Sequence, residues 1–477
     1  MTMDADRFYI GGEWVAPIGT ATMPIMDPAT EARIGTVALG GAADVERAVQ
    51  AAVAAFESFG RWPKAERLAL LRRIRDLTAE RREDLAQAMR REMGAPITMA
   101  RDVQAEAGIG HADGFIEALE AQEERWTLSN GDTLLREPIG PVGLITPWNW
   151  PINQIALKVL PALATGCPAI LKPSEHTPLS AMVYAGILHD AGVPPGAFAL
   201  IHGTGPEVGD ALARHPALAM VSFTGSTRAG ISVSKSAADS VKRVTLELGG
   251  KSPNLVFADC GADLETRARA SVVECFLNTG QSCDAPTRMI VERACYDDVV
   301  EIARIAAEET KVGDPAREGD HIGPLFDRLQ WDRVQARIAE GIAEGARLVA
   351  GGPGRPDGLG TGWYARPTVF ADVSNDMTIA REEIFGPVLS ILPAADESEA
   401  IAIANDTPYG LAAYMQTGDL ERAERVAGRL RAGAVHINGG GLGWGTPFGG
   451  YKASGNGREG GAMGLEDYQE VKSLHFG

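Results

Sequence analysis

A chain of 477 residues and 50.4 kDa exceeds what one compact core organises and suits two or three domains. Its 45% apolar and 23% charged residues describe a folded chain, and 63 acids against 45 bases, a net charge of −18, exclude functions that need a basic, phosphate-binding surface such as nucleic-acid binding. Glycine is in excess, 56 residues where a share of ~7% is usual, which implies many tight turns and close backbone approaches.

The opening MTMDADRFYI carries acids where a signal peptide needs a basic end and an apolar run. Five cysteines, at 167, 260, 275, 283 and 295, show neither paired spacing nor a partnering His motif. The expectation is a reduced, cytoplasmic chain with no disulfide framework and no bound metal. RFYIGGEWV reads as a short strand or hairpin. Val45, Ala48, Val49, Ala52, Val53 and Phe56 fall at helical spacing behind Asp44, a cap or first-turn acid. Pro63 opens a second, highly charged helix carrying Leu68, Leu71, Ile74 and Leu77, with Gly94 beyond its end. Residues 138–157 are uncharged and long enough to span a bilayer, but they hold four prolines, two asparagines and a glutamine, so no membrane helix is expected.

From about 140 the pattern changes. VGLIT (142–146), PAILK (168–172), ALIH (199–202), MVSFT (220–224) and VTLE (244–247) alternate with stretches of helical composition. Strands separated by helix-length crossovers predict a mainly parallel sheet covered on both faces, with ligands beyond the carboxyl ends of its strands. After Gly249 and Gly250, a candidate domain boundary, a second α/β region starts at NLVFA (254–258) and runs to about 436–438. A glycine-rich loop covers 439–450, and the tail ends in the strand-like EVKSLHF (470–476).

Chemistry gathers at the strand ends. Cys283 stands in NTGQSCDAP, a small, polar, glycine-flanked loop that suits an accessible thiol; a plain surface cysteine is the alternative. Glu247 lies between two leucines before two glycines, natural at the mouth of a cleft, where partial burial raises a carboxyl toward general-base range; an outward residue paired to a base fits equally. PWNWP (147–151) holds Asn149 stiffly, as an oxyanion donor requires, and equally suits a rigid aromatic turn. Lys172 and Glu175 in KPSE sit where a nucleotide ribose would lie, or form a solvated pair. FTGSTRAG (223–230) is a strand, a turn and a helix start that can hold a pyrophosphate oxygen, although it lacks the first glycine of GxGxxG.

Together with LELGGKSP (246–253), EEIFGPV (382–388) and PFGGYKASG (447–455), these motifs stand in the order found in the aldehyde dehydrogenase superfamily, which the whole chain resembles. The resemblance implies an α/β fold. Its parts are a Rossmann-like NAD-binding domain (1–120 and 139–249), a second α/β catalytic domain (250–438) and a small β oligomerisation arm (121–138 and 461–477). It implies Cys283 as nucleophile, Glu247 as general base and Asn149 as oxyanion donor. Thr146, Trp148, Lys172, Glu175, Gly225, Ser226, Gly230, Glu383 and Phe385 are its cofactor-binding positions. Trp150, Gln154, Leu157, Leu277, Ser282, Asp284, Leu442 and Trp444 are its substrate-pocket positions. The implied reaction is NAD-dependent oxidation of an aldehyde to its acid, with Glu247 activating the hydrolytic water.

A CoA-acylating relative is the nearest rival, disfavoured because a water-activating base serves only hydrolysis. A thiol hydrolase would leave the nucleotide motifs idle. A dinucleotide-binding protein without turnover would have no use for Cys283, Glu247 and Asn149 together. Glu175, accepting both ribose hydroxyls, favours NAD over NADP. No Arg stands among the pocket positions to clamp an acidic semialdehyde. The exposed edge of the tail strand is a pairing template, so a homodimer or homotetramer is expected.

Overall fold

The computed structural model describes residues 4–476. Two seven-stranded sheets, each wrapped by helices, carry the site, and a three-stranded sheet stands apart from both. In the first, the strand order is Arg243–Glu247, Met220–Thr224, Val142–Ile145, Ala169–Lys172, Phe198–Leu200, Phe8–Ile10 and Glu13–Val15. The first five of these strands run parallel, as the alternating pattern predicts. The N-terminal hairpin joins antiparallel at the edge through Gly11 and Gly12, both at positive φ, which a two-residue loop of this kind demands.

Both faces of this sheet are covered because its strands are apolar on both. Leu144 and Leu171 point into one core, under the helices Lys64–Glu80, Glu106–Ala121 and Pro151–Thr165. Their neighbours Ile145 and Ile170 point into the other, under Ala42–Phe59 and Thr227–Ala237. Asp44 is the first-turn acid of Ala42–Phe59, and its carboxylate takes the Gly41 amide at 3.1 Å. The single charged helix expected after Pro63 is instead two, Lys64–Glu80 and Arg82–Met93, broken at Arg81, whose backbone leaves helical geometry. No proline or glycine marks that break. Gly94, at φ 81, closes the second helix.

The second sheet runs Arg347–Ala350, Thr368–Ala371, Val388–Ala394, Arg288–Glu292, Pro253–Val256, Ala412–Gln416 and Ala434–Ile437, parallel except at its first edge. The third pairs Gln469–Leu474 with Thr133–Pro138 and that strand with Arg125–Thr127. The tail strand is therefore not a lone edge. Its inner side is already taken, and only its outer side is open. A two-stranded sheet, Thr22–Asp27 with Ala32–Ala38, has no counterpart in the sequence pattern, because Pro24 and Gly35 interrupt its alternation.

The site follows from the order of the first sheet. Two crossovers lead from Val142–Ile145 to one side and two more strands lie on the other, so the direction reverses between Val142–Ile145 and Met220–Thr224. A crevice opens beyond the carboxyl ends of strands at such a point. The register aligns Ile145 with Lys172 and with Phe223, and Thr224 with Glu247. The strand-end motifs therefore share one rim.

Candidate active site

Four of the five cysteines are buried, and Cys283 alone is partly exposed. It follows the turn Leu277–Gly280, where Asn278, Thr279 and Gly280 all have positive φ. Two glycines are obligatory around it. A Cβ on Gly280 would lie 2.2 Å from the Gly386 carbonyl, and one on Gly250 would lie 2.2 Å from the Cys283 carbonyl. Of the Gly249 and Gly250 pair, expected as a domain boundary, Gly250 lies directly against Cys283 and Gly249 against Glu383. Burial pushes the Cys283 thiol well above its usual range, and the carboxyl groups of Asp284, Glu383 and Glu247 push the same way. The resting group is a thiol, which must lose a proton before it reacts.

Asn149 reaches this loop from the first sheet. Its Nδ2 donates to the Gln281 carbonyl at 3.0 Å, and the adjacent Trp150 Nε1 donates to Ser282 Oγ at 2.8 Å. Of the expected pocket residues, Gln154 and Leu157 are buried on the helix that Pro151 opens, and Gln154 Oε1 has no partner. Trp444 is 51% exposed and lies edge-on to His111, with its indole over Gly110. Leu277 opens the nucleophile turn. Asp284 and Leu442 line a cavity of about 460 Å³ beside the helix Leu264–Phe276, together with Glu274, Tyr414 and His436. Burial raises the carboxyl pKa of both Asp284 and Glu274.

Glu247 is 3% exposed, and neither of its carboxyl oxygens has a hydrogen-bond partner. Burial raises its pKa well above the usual value, and the neighbouring Glu459 adds to the effect while Lys158 and Arg458 oppose it. Its side chain packs against Gly449, where a Cβ would come within 2.7 Å of Oε1. Behind it Lys158, fully buried, pairs with Glu459 and donates to Ser222 Oγ at 2.8 Å. Neither residue was singled out by sequence reasoning. The available signal was Lys158 itself, the one charge between Glu137 and Lys172, on a helix otherwise fit for a core.

On the cofactor side, Lys172 Nζ and Glu175 Oε2 are 3.0 Å apart. Burial works against the Glu175 charge, but the Lys172 ammonium together with the hydrogen bonds to the carboxylate outweighs it and the carboxyl pKa falls; burial lowers that of Lys172. Thr146 Oγ1 and Thr224 Oγ1 are buried without partners. Ser226 caps the helix Thr227–Ala237 by accepting the Ala229 amide at 3.3 Å. A Cβ on Gly225 would meet the Phe223 ring at 2.6 Å, and one on Gly230 would meet Leu248 at 2.6 Å, so each glycine leaves bare backbone beside a packed side chain. Trp148 stacks on Phe326 at 4.0 Å and meets the edge of Phe385, itself at φ 58, at 5.5 Å. Glu383 accepts the Gly250 amide at 3.0 Å, and burial pushes its carboxyl up to about 7. Bare helix-start backbone, orphaned hydroxyls on the rim and an acid beside a lysine fit a dinucleotide lying along the strand ends. Among the described residues no cluster of metal-ligating side chains occurs, and no helix is long and apolar enough to cross a membrane.

The fold and the site have counterparts among known proteins. The aldehyde dehydrogenase family profile matches residues 14–474. A 3-succinoylsemialdehyde-pyridine dehydrogenase from Pseudomonas sp is 50% identical over 475 residues, 99% of this chain and 98% of that protein. The crystal structure of an aldehyde dehydrogenase from Bartonella henselae superposes with a TM-score of 0.97 at 47% identity, covering 99% of each chain. A cysteine-to-alanine mutant of aldehyde dehydrogenase C from Pseudomonas syringae, solved with NAD+ and octanal, gives 0.97 at 50% identity, over 98% of this chain and 96% of that one.

Proposed function

The chain belongs to the aldehyde dehydrogenase family and is an enzyme that oxidises aldehydes; from that premise we propose that it does so with NAD, through a thioester on Cys283 that water hydrolyses. The observation that carries the reading is the convergence of three side chains from separate strands and loops. Cys283 stands on its strained turn, Asn149 reaches its loop, and Glu247 is close enough to disfavour the thiolate.

Cys283 Sγ adds to the aldehyde carbon, forming a C–S bond as its proton passes to Glu247 or to water. The free N–H of Asn149 and the Cys283 amide hold the oxyanion of the tetrahedral adduct. NAD, when bound, supplies the hydride acceptor that turns this adduct into a thioester; Thr146, Trp148, Lys172, Glu175, Gly225, Ser226, Gly230, Glu383 and Phe385 would hold it. Glu247 then takes a proton from water, whose oxygen attacks the thioester carbon. The acid leaves, and the thiol is restored. Glu247 can act as a base again only after losing that proton. Without an Arg among the pocket positions to clamp an acid, uncharged aldehydes are the favoured class, in keeping with the octanal bound by the Pseudomonas syringae protein. The domain division at 249–250 and assembly through the outer side of the tail strand belong to the same reading.

Cys283→Ala tests it. NADH formation with an aldehyde panel should vanish while NAD still binds, followed by quenching of tryptophan fluorescence. Turnover like that of the wild type would end the proposal.

A further inference from the structure

Behind Asn149 runs a chain of buried amides that the reaction scheme leaves unused. The Asn149 Nδ2 bond to the Gln281 carbonyl occupies one of two amide hydrogens, so it sets the direction of the other. The aim of the oxyanion donor therefore depends on where the Gln281 carbonyl stands. Asn278 holds it. Its Nδ2 donates to the main-chain carbonyl of Asn149 at 2.8 Å and to that of Gln281 at 3.3 Å. Both partners are carbonyls that only accept, so the hydrogen-bond chemistry fixes which way this amide faces. Its Oδ1 in turn accepts from Gln104 Nε2 at 3.3 Å. Gln104 lies in the π-helical turn Ala100–Ala105, an irregularity that recurs at functional sites. All four side chains are buried.

The backbone bears a cost for this arrangement. Asn278 is left-handed at φ 53, and so is the β-branched Thr279 at φ 59, a conformation that persists only where its surroundings enforce it. They do enforce it. Thr279 Oγ1 donates to the Gly323 carbonyl at 3.1 Å, and Gln281 returns both its amide and its Nε2 to the Asn278 carbonyl, at 3.1 and 3.0 Å.

We propose that Asn278, backed by Gln104, is the positioning residue that aims the Asn149 amide at the reacting oxygen. The proposal rests on the reading of Asn149 as oxyanion donor given above. Asn278 acts through Asn149, so its effect belongs in kcat and depends on Asn149 being present.

A double-mutant cycle tests this. Asn278→Gly keeps the left-handed backbone and removes the amide. In the wild-type background it should lower kcat by roughly tenfold to a hundredfold, with the aldehyde KM and the NAD dissociation constant nearly unchanged. In an Asn149→Ala background it should cost less than about twofold. Multiplicative losses in the double mutant, or Asn278→Gly with wild-type kcat, overturn the positioning role and leave Asn149 untouched. Wild-type turnover in Asn149→Ala overturns the donor assignment and the proposal with it. Should Asn278→Gly fail to fold, Gln104→Leu, which cuts the chain at its outer link, goes through the same cycle with an expected loss of about threefold that again disappears without Asn149.

Discussion

The segment 224–230 leaves a strand and enters a helix on ordinary backbone. Ser226 caps the helix, and neither Gly225 nor Gly230 has a positive φ. The segment 277–283 follows a helix instead, and Asn278, Thr279 and Gly280 are all left-handed, with no regular element beginning for several residues beyond Cys283. On the proposed reading the first segment needs only bare amides near a phosphate, which any strand–turn–helix supplies. On the proposed reading the second must hold one sulfur against one amide from another part of the chain, and its left-handed backbone is locked by buried hydrogen bonds. A binding surface can thus be made from regular ends, whereas aiming reacting groups takes irregular backbone.

The sharpest way to break that contrast is to disable chemistry without touching binding. Glu247→Gln removes the base and leaves its packing against Gly449 nearly unchanged in size. Steady turnover should fall by about a hundredfold to ten-thousandfold, with a burst of NADH close to one per site preserved, while NAD affinity stays put. A smaller burst would mean that Glu247 also deprotonates Cys283, which its influence on that thiol allows. Unchanged steady turnover rejects it as the hydrolytic base.

Matched glycine substitutions compare the two segments directly. Gly280→Ala sets a Cβ 2.2 Å from the Gly386 carbonyl at φ 69, against the Gly386–Pro387 backbone, which has no side chain to turn aside. It should cost about 2–4 kcal/mol of stability and most of the activity. Gly225→Ala meets the far end of the Phe223 ring, which can turn, at an ordinary φ. Its effect should be confined to NAD affinity, at most about tenfold. Thermal melts and NAD titrations of the two variants decide it, and equal loss of stability in both would dissolve the distinction.

The same division between regular and irregular backbone separates what the amino-acid pattern makes legible from what it hides. The strands at 142–146, 168–172 and 220–224 and the motifs at their ends are legible because apolar runs and crossover spacing dictate a parallel sheet and its rim. The break at Arg81 is not, because the apolar spacing runs on through it and no proline or glycine marks it. Neither is the Lys158–Glu459 pair, whose partners stand 301 positions apart in the chain and meet only after folding. Asn278 is visible as a letter in NTGQSC, but its role depends on a left-handed φ and on Gln104, which no local pattern announces.

Cofactor choice probes the regular side alone. Glu175 already engages Lys172 at 3.0 Å, so the ammonium is less free to receive a 2′-phosphate than an unpaired lysine would be. Close like charges at a partly buried site cost on the order of 1–3 kcal/mol, so kcat/KM and affinity should both favour NAD by about tenfold to a hundredfold. Glu175→Gln should narrow the gap chiefly by improving NADP binding. Equal dissociation constants for the two cofactors in the wild type would show that Glu175 is no filter.

The smallest effect lies at Glu383, which faces the Gly249–Gly250 turn. Its Oε1 takes the amide of Gly250, the glycine that also floors Cys283, and burial holds its carboxyl at about 7. If the ionised carboxylate is what accepts the nicotinamide ribose hydroxyls, NAD affinity must rise as pH rises through 7, because deprotonation creates the better acceptor. The limit, with no binding to the protonated form, is about a tenfold weaker affinity at pH 6 than at pH 8. Lys251, buried beside it and itself lowered to about 7, titrates in the same window. Its charged form favours an ionised Glu383, so the pair titrates together and the observed slope will be shallower than that limit. Glu175, held below its ordinary range, stays ionised throughout and adds no slope. Glu383→Gln should therefore flatten the dependence of the NAD dissociation constant on pH between 6 and 8. An unchanged slope after this substitution would remove Glu383 from the ribose site.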